Sequence, residues 1–221
     1  MMNHRKIAAG TAFALALSLL GTVQAQQAVH PPSYVPVLPA VKARALAVDP
    51  AKGYLVKEVK PGVFVITDGV YQSAFVTTGE GVVVLDAPES FGGKIAEAVA
   101  TVTNEPITQL VYSHTHVDHI AGGSALLRQV PGLRILAEAG AARFLREKKD
   151  PRRPVPTETF EGQRTLRVGS ATIELRKGRW HSPEGDLFIY LPDKKVLIAI
   201  DTLAAGHVPF MDFDLSTNMH A

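Results

Sequence analysis

Short runs of β-branched and aromatic residues, separated by glycine and proline, open the part of the chain that has a globular pattern. Such runs predict strands, because these side chains pack well on a pleated sheet whereas Gly and Pro favour turns. The runs cover residues 55–59, 63–67, 74–77 and 82–85. Their close spacing predicts a meander of four strands.

The pattern changes after Gly92 and Gly93, where Ile95, Val99 and Val102 recur at helical spacing and predict a helix over residues 94–102. Alternating strands and helices then predict a β-α-β-α arrangement. The strands are expected at 107–112 and 134–137, and the helices at 123–129 and 141–148. After a polar, proline-rich stretch at 149–156, strands are expected at 165–168, 171–176, 187–191 and 196–200.

The first 25 residues have the pattern of a secretory signal peptide. Arg5 and Lys6 form a short basic start, residues 7–20 are almost uninterruptedly apolar, and small residues precede a cleavage site near Ala25. Spanning a bilayer needs roughly 20 apolar residues, so the run is too short for a stable membrane anchor. We therefore expect a periplasmic or secreted protein.

Residues 26–52 contain five prolines and few large apolar residues at the spacing of a strand or a helix, which predicts an extended arm. The remaining residues, 53–221, are expected to form one domain. A chain of 221 residues that is 46% hydrophobic and 20% charged has the composition of a globular protein with a buried core.

Charge and cysteine content narrow the classes of partner and ligand. Cleavage near Ala25 would remove Arg5 and Lys6 and no carboxylate, which leaves as many basic as acidic residues and gives no reason to expect a nucleic-acid partner. The absence of cysteine is compatible with an oxidising compartment, and it excludes disulfides and thiolate ligands. A metal site would have to use His, Asp and Glu.

One hexapeptide, His-Thr-His-Val-Asp-His at residues 114–119, places three imidazoles and a carboxylate directly after an apolar strand. In an extended loop His114 and His116 point the same way and can hold one ion, while Asp118 and His119 turn with the chain toward a second. The alternative is a surface loop that is rich in histidine by chance. Three of the eight histidines within six residues favour the metal site.

A His-x-His-x-Asp-His motif after an apolar strand resembles the signature of the metallo-β-lactamase superfamily, and the resemblance runs from about residue 54 to 203. It implies a four-layer αββα sandwich with two metal ions. It also implies that His181 is the third histidine of the first metal and that Asp201 bridges both ions. Asp86 would hold the ligand loop in position without being a metal ligand itself. For Asp86 and Asp201, a plain carboxylate in a turn is the alternative.

Two Zn²⁺ ions in such a site lower the pKa of a bridging water toward about 7, which makes hydroxide available at neutral pH. Asp118 is then the residue expected to orient this hydroxide and to pass its proton to the leaving group. Ligation by His and Asp alone is also compatible with Fe or Mn. Zinc is the expected metal.

The chain departs from the family pattern near its last residue, Ala221. Family members usually add one more histidine to the second metal from a later Gly-His loop, so either the sequence is a fragment or the second site is incomplete. His207 or His220 could substitute, and each could equally be a loop residue. Four apolar residues could line the substrate site or simply pack in the core: Trp180, Phe210, Met211 and Phe213.

The resemblance implies a small-molecule substrate. Members of the family with a bridging Asp, as expected here for Asp201, cleave thioesters, lactones or phosphate and sulfate esters, which favours a hydrolase acting on such bonds. Two alternatives stay open. One is a true β-lactamase, and the other is a periplasmic metal- or partner-binding protein without turnover. The sequence does not indicate the oligomeric state.

Overall fold

Two β-sheets and four helices form the part of the chain that the structure describes. The structure is a computed structural model, and it describes residues 39, 43, 46–178, 181, 182 and 184–202. All of these residues belong to one unit of the chain, Val37–Ala221. The predicted signal peptide and most of the predicted arm lie outside the described residues.

The larger sheet has seven strands whose order in the sheet is their order in the chain. The first four pair antiparallel and the last three are added in parallel. Parallel neighbours need a crossover, and helices supply it between the later strands. The strands are β1 (Leu55–Lys60), β2 (Val63–Thr67), β3 (Gln72–Thr77), β4 (Val82–Leu85), β5 (Ile107–Val111), β6 (Arg134–Glu138) and β7 (Glu158–Phe160).

The helices cover one face of this sheet. They are α1 (Ile95–Ala100), which follows a 3-10 turn at Gly92–Lys94, α2 (Val117–Ile120), α3 (Gly123–Gln129) and α4 (Ala139–Lys148). Phe75 and Leu110 of the strands share a buried cluster with Ile95, Leu126 and Leu145 of the helices. Burying these side chains provides most of the stability of such short helices.

A smaller antiparallel sheet covers the opposite face. It contains β8 (Gln163–Val168), β9 (Ala171–Gly178), β10 (Asp186–Leu191) and β11 (Val196–Ile198), in the order β11-β10-β9-β8. Val83 and Leu136 of the larger sheet are buried together with Ile173, Leu175 and Ile189 of the smaller one. The layers are therefore helices, sheet and sheet, and the predicted mixed α/β class with two sheets is confirmed. A second helical layer is not among the described residues.

The predicted elements differ from the observed ones mainly at their ends and in two short segments. The helix predicted over 94–102 ends at Ala100, where Thr101 and Val102 switch to hydrogen bonds with the residue three positions back. The strand predicted over 196–200 ends at Ile198. β7 and α2 were not predicted, because segments of three and four residues are too short to show a period.

Two glycines allow close packing beside the ligand loop. A Cβ on Gly122 would lie 2.4 Å from the carbonyl oxygen of Pro88 and 2.6 Å from Cα of Gly92. The 3-10 turn can therefore rest directly against the start of α3.

Within the described residues, no helix is long and apolar enough to cross a membrane.

Candidate metal centre

The candidate ligands follow strand ends of both sheets. Asp86 follows β4, and residues 114–119 follow β5, which pairs with β4 in parallel. Because neighbouring parallel strands end at the same edge, the two loops meet there. From the smaller sheet, His181 lies between β9 and β10, and Asp201 follows β11.

Four side chains form one group that could hold a metal ion. They are His114, His116, His181 and Asp201, and the ligand atoms of all four lie within 4.8 Å of one another. Nε2 of His181 is 3.0 Å from Nδ1 of His116. His116 of the loop after β5 therefore faces a histidine that is 65 residues further along the chain.

Asp201, the carboxylate of this group, also contacts His119. Its Oδ2 is 3.4 Å from Nε2 of both His114 and His181, and 2.9 Å from Nε2 of His119. The backbone of Asp201 is left-handed, with φ of 60°. The carboxylate thus touches imidazoles on both sides, which is the position that a bridging ligand needs.

The short helix α2 carries the remaining two predicted ligands. His119 is buried and points to Asp201, whereas the side chain of Asp118 is 49% exposed. Oδ2 of Asp118 lies 3.6 Å from Nε2 of His119. The chain is extended at His116 and helical from Val117, where the sequence predicts that it turns, and the helix places His119 against Asp201 while Asp118 faces solvent.

Asp86 is fully buried and acts on His114 through Ser113. The carboxylate accepts hydrogen bonds from the backbone N–H of Ser113, at 2.6 Å, and from its hydroxyl. The same hydroxyl oxygen is 2.8 Å from Nδ1 of His114. Since the hydroxyl has given its one proton to Asp86, Nδ1 of His114 must be the donor. That tautomer leaves the lone pair of Nε2 free for a metal.

The pKa values in this site follow from burial and close contacts. Burial acts to raise the pKa of Asp201, but the surrounding imidazoles outweigh it and hold that pKa far below its ordinary value. Burial acts to lower the pKa of His119, but Asp201 outweighs it, and the pKa is raised. Burial, together with His114 and His181, lowers the pKa of His116. Asp201 is therefore ionised, and His116 is favoured in the neutral form that binds metals.

The donor set fits a metal ion. Nε2 of His114 is buried and has no hydrogen-bond partner among the described residues, yet it faces an ionised carboxylate oxygen at 3.4 Å. A lone pair beside a negative charge is unfavourable unless a cation lies between them. Imidazoles and carboxylates are ligands that Zn²⁺ accepts. The cluster can therefore bind a metal through side chains alone.

Two neighbours of the ligands were missed by the sequence analysis. The guanidinium of buried Arg153 donates to the carbonyl oxygen of Thr115 at 2.6 Å and to the carboxylate of Asp150 at 3.1 Å. These two hydrogen bonds tie the ligand loop to the segment that carries Asp150. The ring of Tyr71 lies edge-on to His119, with centroids 5.5 Å apart. Burial raises the pKa of Tyr71, as do the charge of Asp118 and a hydrogen bond with it. Neither residue has a local sequence signal.

Asp186, which was also missed, holds the loop that carries His181. Its buried carboxylate accepts hydrogen bonds from the backbone N–H groups of His181, at 2.8 Å, and Ser182, at 3.0 Å. A signal was present, because Asp186 follows a candidate ligand by five residues. This carboxylate sets the position of His181 and is not itself one of the four grouped side chains.

Replacing Asp186 by alanine is expected to weaken metal binding by about 10–100-fold, because an outer partner of a ligand contributes about that much to affinity. Zinc titration against a competing chelator measures the change, and circular dichroism checks the fold. Asp193→Ala is the matched control, since Asp193 is exposed on a turn away from the site. A folded Asp186→Ala protein with unchanged affinity would contradict this role.

Several predicted residues cannot be placed. The candidate substitute ligands His207 and His220 lie outside the described residues. So do the apolar candidates Trp180, Phe210, Met211 and Phe213.

Comparison with known proteins was made at the level of family, sequence and structure. Residues 66–221 match the family described as the metallo-beta-lactamase superfamily. A curated relative from Nocardioides sp. (strain JS1661), named 2,4-dinitroanisole O-demethylase subunit alpha, is 26% identical over 153 residues. The match covers 67% of this chain and 46% of the relative, so the chain spans about half of that protein.

Solved structures with the same fold are less similar in sequence. A metallo-β-lactamase from Pontibacter korlensis has a TM-score of 0.55 and 22% identity, and the match covers 65% of this chain and 69% of that one. A metallo-β-lactamase from Novosphingobium pentaromativorans has a TM-score of 0.59 and 16% identity, with 74% and 66% covered. A subclass B3 enzyme of Bradyrhizobium japonicum has a TM-score of 0.52 and 18% identity, with 62% and 56% covered. At these identities the likeness shows the fold alone.

Proposed function

The chain belongs to the metallo-β-lactamase superfamily, and from this membership we propose that it is an exported hydrolase that uses two zinc ions. The bond it cleaves is an ester, thioester, lactone or similar bond. The observation that carries the proposal is the position of Asp201, whose Oδ2 contacts His114 and His181 at 3.4 Å and His119 at 2.9 Å. A carboxylate shared between two sets of imidazoles supports a dinuclear site.

The ligands divide into two sets. His114, His116 and His181 would hold one ion, His119 and Asp118 the other, and Asp201 would contact both. Zinc, when bound, lowers the pKa of a coordinated water toward about 7 and polarises the bond under attack. Among the described residues, Asp201 is the ligand whose charge would be shared by both ions.

Asp118 is the candidate for moving the proton. Its side chain is half exposed and lines a cleft of about 790 Å³ beside the cluster, so it can reach both water and substrate. A carboxylate in this position orients the attacking water, accepts its proton and delivers it to the leaving group. Tyr71 lies beside Asp118, whose charge acts to raise the pKa of the tyrosine hydroxyl.

Metal loading and turnover measured on one sample test the proposal. The mature protein is purified, reconstituted with zinc at neutral pH, and its metal content is determined by mass spectrometry. We expect about two equivalents of metal and release of 4-nitrophenol from a 4-nitrophenyl ester, and chelation should abolish this release. Less than half an equivalent of metal would end the dinuclear proposal, and a fully loaded but inactive protein would favour a binding function.

The relatives suggest two other substrates for the same loaded protein. The solved structures are named as β-lactamases, so hydrolysis of a chromogenic cephalosporin is the test of that activity. The curated relative is named for O-demethylation of 2,4-dinitroanisole, so release of 2,4-dinitrophenol from this ether is the second test. Faster turnover of either compound than of esters would reassign the substrate.

We also propose that residues 1–25 direct export and are then removed, as their basic start, apolar run and small-residue cleavage site indicate. Sequencing the N-terminus of protein isolated from the cell envelope decides this. A chain that still begins at Met1 or Met2 would contradict the proposal.

A further inference from the structure

The cleft beside the candidate metal centre lies between the two sheets. One wall comes from β1, β2, the following turn and β3, and the other comes from β11 and the residues that lead to Asp201. Its side chains away from the histidines are mainly aliphatic. They include Val65, Val70, Ala74, Val196, Ile198 and Ile200.

The ionisable groups of this cleft cluster at the candidate metal centre, and a neutral amide, that of Gln72, lines the cleft as well. The ionisable side chains that line it are His116, His119, His181, Asp118, Asp201 and Tyr71, and all of them belong to or adjoin the candidate metal centre. Ser73 also lines the cleft, but its buried hydroxyl donates to the carbonyl oxygens of Leu85 and Asp86, at 2.7 and 3.0 Å. No lysine or arginine lines it within the part of the chain that the structure describes.

Val70 lies at the rim of the cleft. It lies in the turn between β2 and β3, and its side chain is 79% exposed although it is apolar. Hydrogen bonds from the backbone N–H groups of Val70 and Tyr71 to the carboxylate of Asp68, both 2.8 Å, hold this turn in place. An ordered turn that presents valine to the mouth of an aliphatic cleft can contact an apolar part of a ligand.

We propose that this cleft selects neutral substrates whose acyl or aryl portion is apolar, and that it discriminates against substrates with a carboxylate on that portion. The inference rests on the proposed hydrolase function. Burying apolar surface of a ligand against the aliphatic walls is favourable. A carboxylate in the same place would lose part of its hydration, and no lysine or arginine among the described residues lines the cleft to pair with it.

A matched pair of esters tests the selectivity with the zinc-loaded protein. 4-Nitrophenyl hexanoate and the 4-nitrophenyl monoester of adipic acid share the leaving group and a six-carbon chain, and differ by a terminal carboxylate. We expect kcat/KM to be about 100-fold higher for the hexanoate ester, because the carboxylate is desolvated without a partner. Equal values for the two esters would overturn the inference and leave the hydrolase function standing.

A variant with a cation at the rim of the cleft gives a second test of the selectivity. Val70→Lys should raise the kcat/KM of the adipate ester relative to the hexanoate ester by about threefold, which is the size expected of an exposed ion pair. Val102→Lys is the matched control, because Val102 is also exposed but does not line the cleft. The same ratio in both variants would place the acyl chain elsewhere.

Binding without turnover separates this inference from the hydrolase proposal. Butyrophenone and 3-benzoylpropionate are ketones that cannot be hydrolysed, and they differ by the same carboxylate. Calorimetric titration of the zinc-loaded protein should show tighter binding of butyrophenone by at least about tenfold. If the protein hydrolyses neither ester but keeps this preference, the hydrolase function fails and the selectivity stands. Tighter binding of 3-benzoylpropionate would overturn the selectivity.

Discussion

Asp118→Asn is expected to lower kcat/KM for ester hydrolysis by about 10²–10⁴-fold, which is the usual contribution of a positioned acid or base. An amide keeps an oxygen that can face the metal, but it cannot accept the proton that hydrolysis moves. The side chain of Asp118 is half exposed and lies at the edge of the site, so its replacement should disturb packing little. Steady-state kinetics and metal content are measured on the same preparation.

The control for this variant is Asp193→Asn, which makes the same chemical change at an exposed turn away from the cluster. Asp193→Asn should retain wild-type kinetics and metal content. If Asp118→Asn also kept near-wild-type turnover on a good ester substrate, proton transfer would have to be assigned to another group. A fall in activity that only matched a loss of metal would leave Asp118 a ligand and nothing more.

The main expected effect of Asp201→Asn is a loss of bound metal. The surrounding imidazoles keep the pKa of Asp201 well below its ordinary value despite burial, so the carboxylate is charged at neutral pH. It can therefore neutralise part of the charge of two adjacent cations, which an amide cannot do. Metal content should fall from about two equivalents to about one. The affinity for the second ion should fall more than the roughly 100-fold that loss of an outer partner causes.

Isothermal titration with zinc and mass spectrometry of the dialysed protein measure this change. Asp186→Ala serves as the comparison, because it removes a carboxylate that positions His181 through the backbone but is not one of the four grouped ligands. Asp186→Ala should weaken binding without a specific loss of one ion. Two ions retained by Asp201→Asn with unchanged affinity would show that Asp201 does not bridge them.

The elements of the fold were largely predictable because their signals are local. Strands at 63–67 and 82–85 have the predicted bounds, and the helix predicted over 141–148 begins only two residues earlier, where the side chain of Glu138 accepts a hydrogen bond from the N–H of Gly140. β7 was not predictable in the same way. Its three residues become a strand because they pair with β6, which is an interaction across 22 residues of chain.

The sequence by itself determined the residue types of the site. The amino-acid sequence alone gives the spacing of His114, His116, Asp118 and His119, and it excludes thiolate ligands because it contains no cysteine. Only the tertiary structure decided which of these side chains meet. It brings His181 and Asp201 of the smaller sheet to a loop of the larger one, and it turns Asp118 outward on α2.

The supporting contacts were decided by the tertiary structure as well. The hydroxyl of Ser113 donates to Asp86 and contacts Nδ1 of His114, so it links the two residues. Asp186 accepts a hydrogen bond from the backbone of His181, and Arg153 donates one to the carbonyl oxygen of Thr115. A hydrogen bond depends on distances of a few tenths of an ångström between residues far apart in the chain, and no local pattern encodes such distances. The periodicity of side chains along the chain determines strands and helices, whereas the packing of the sheets and helices determines the site.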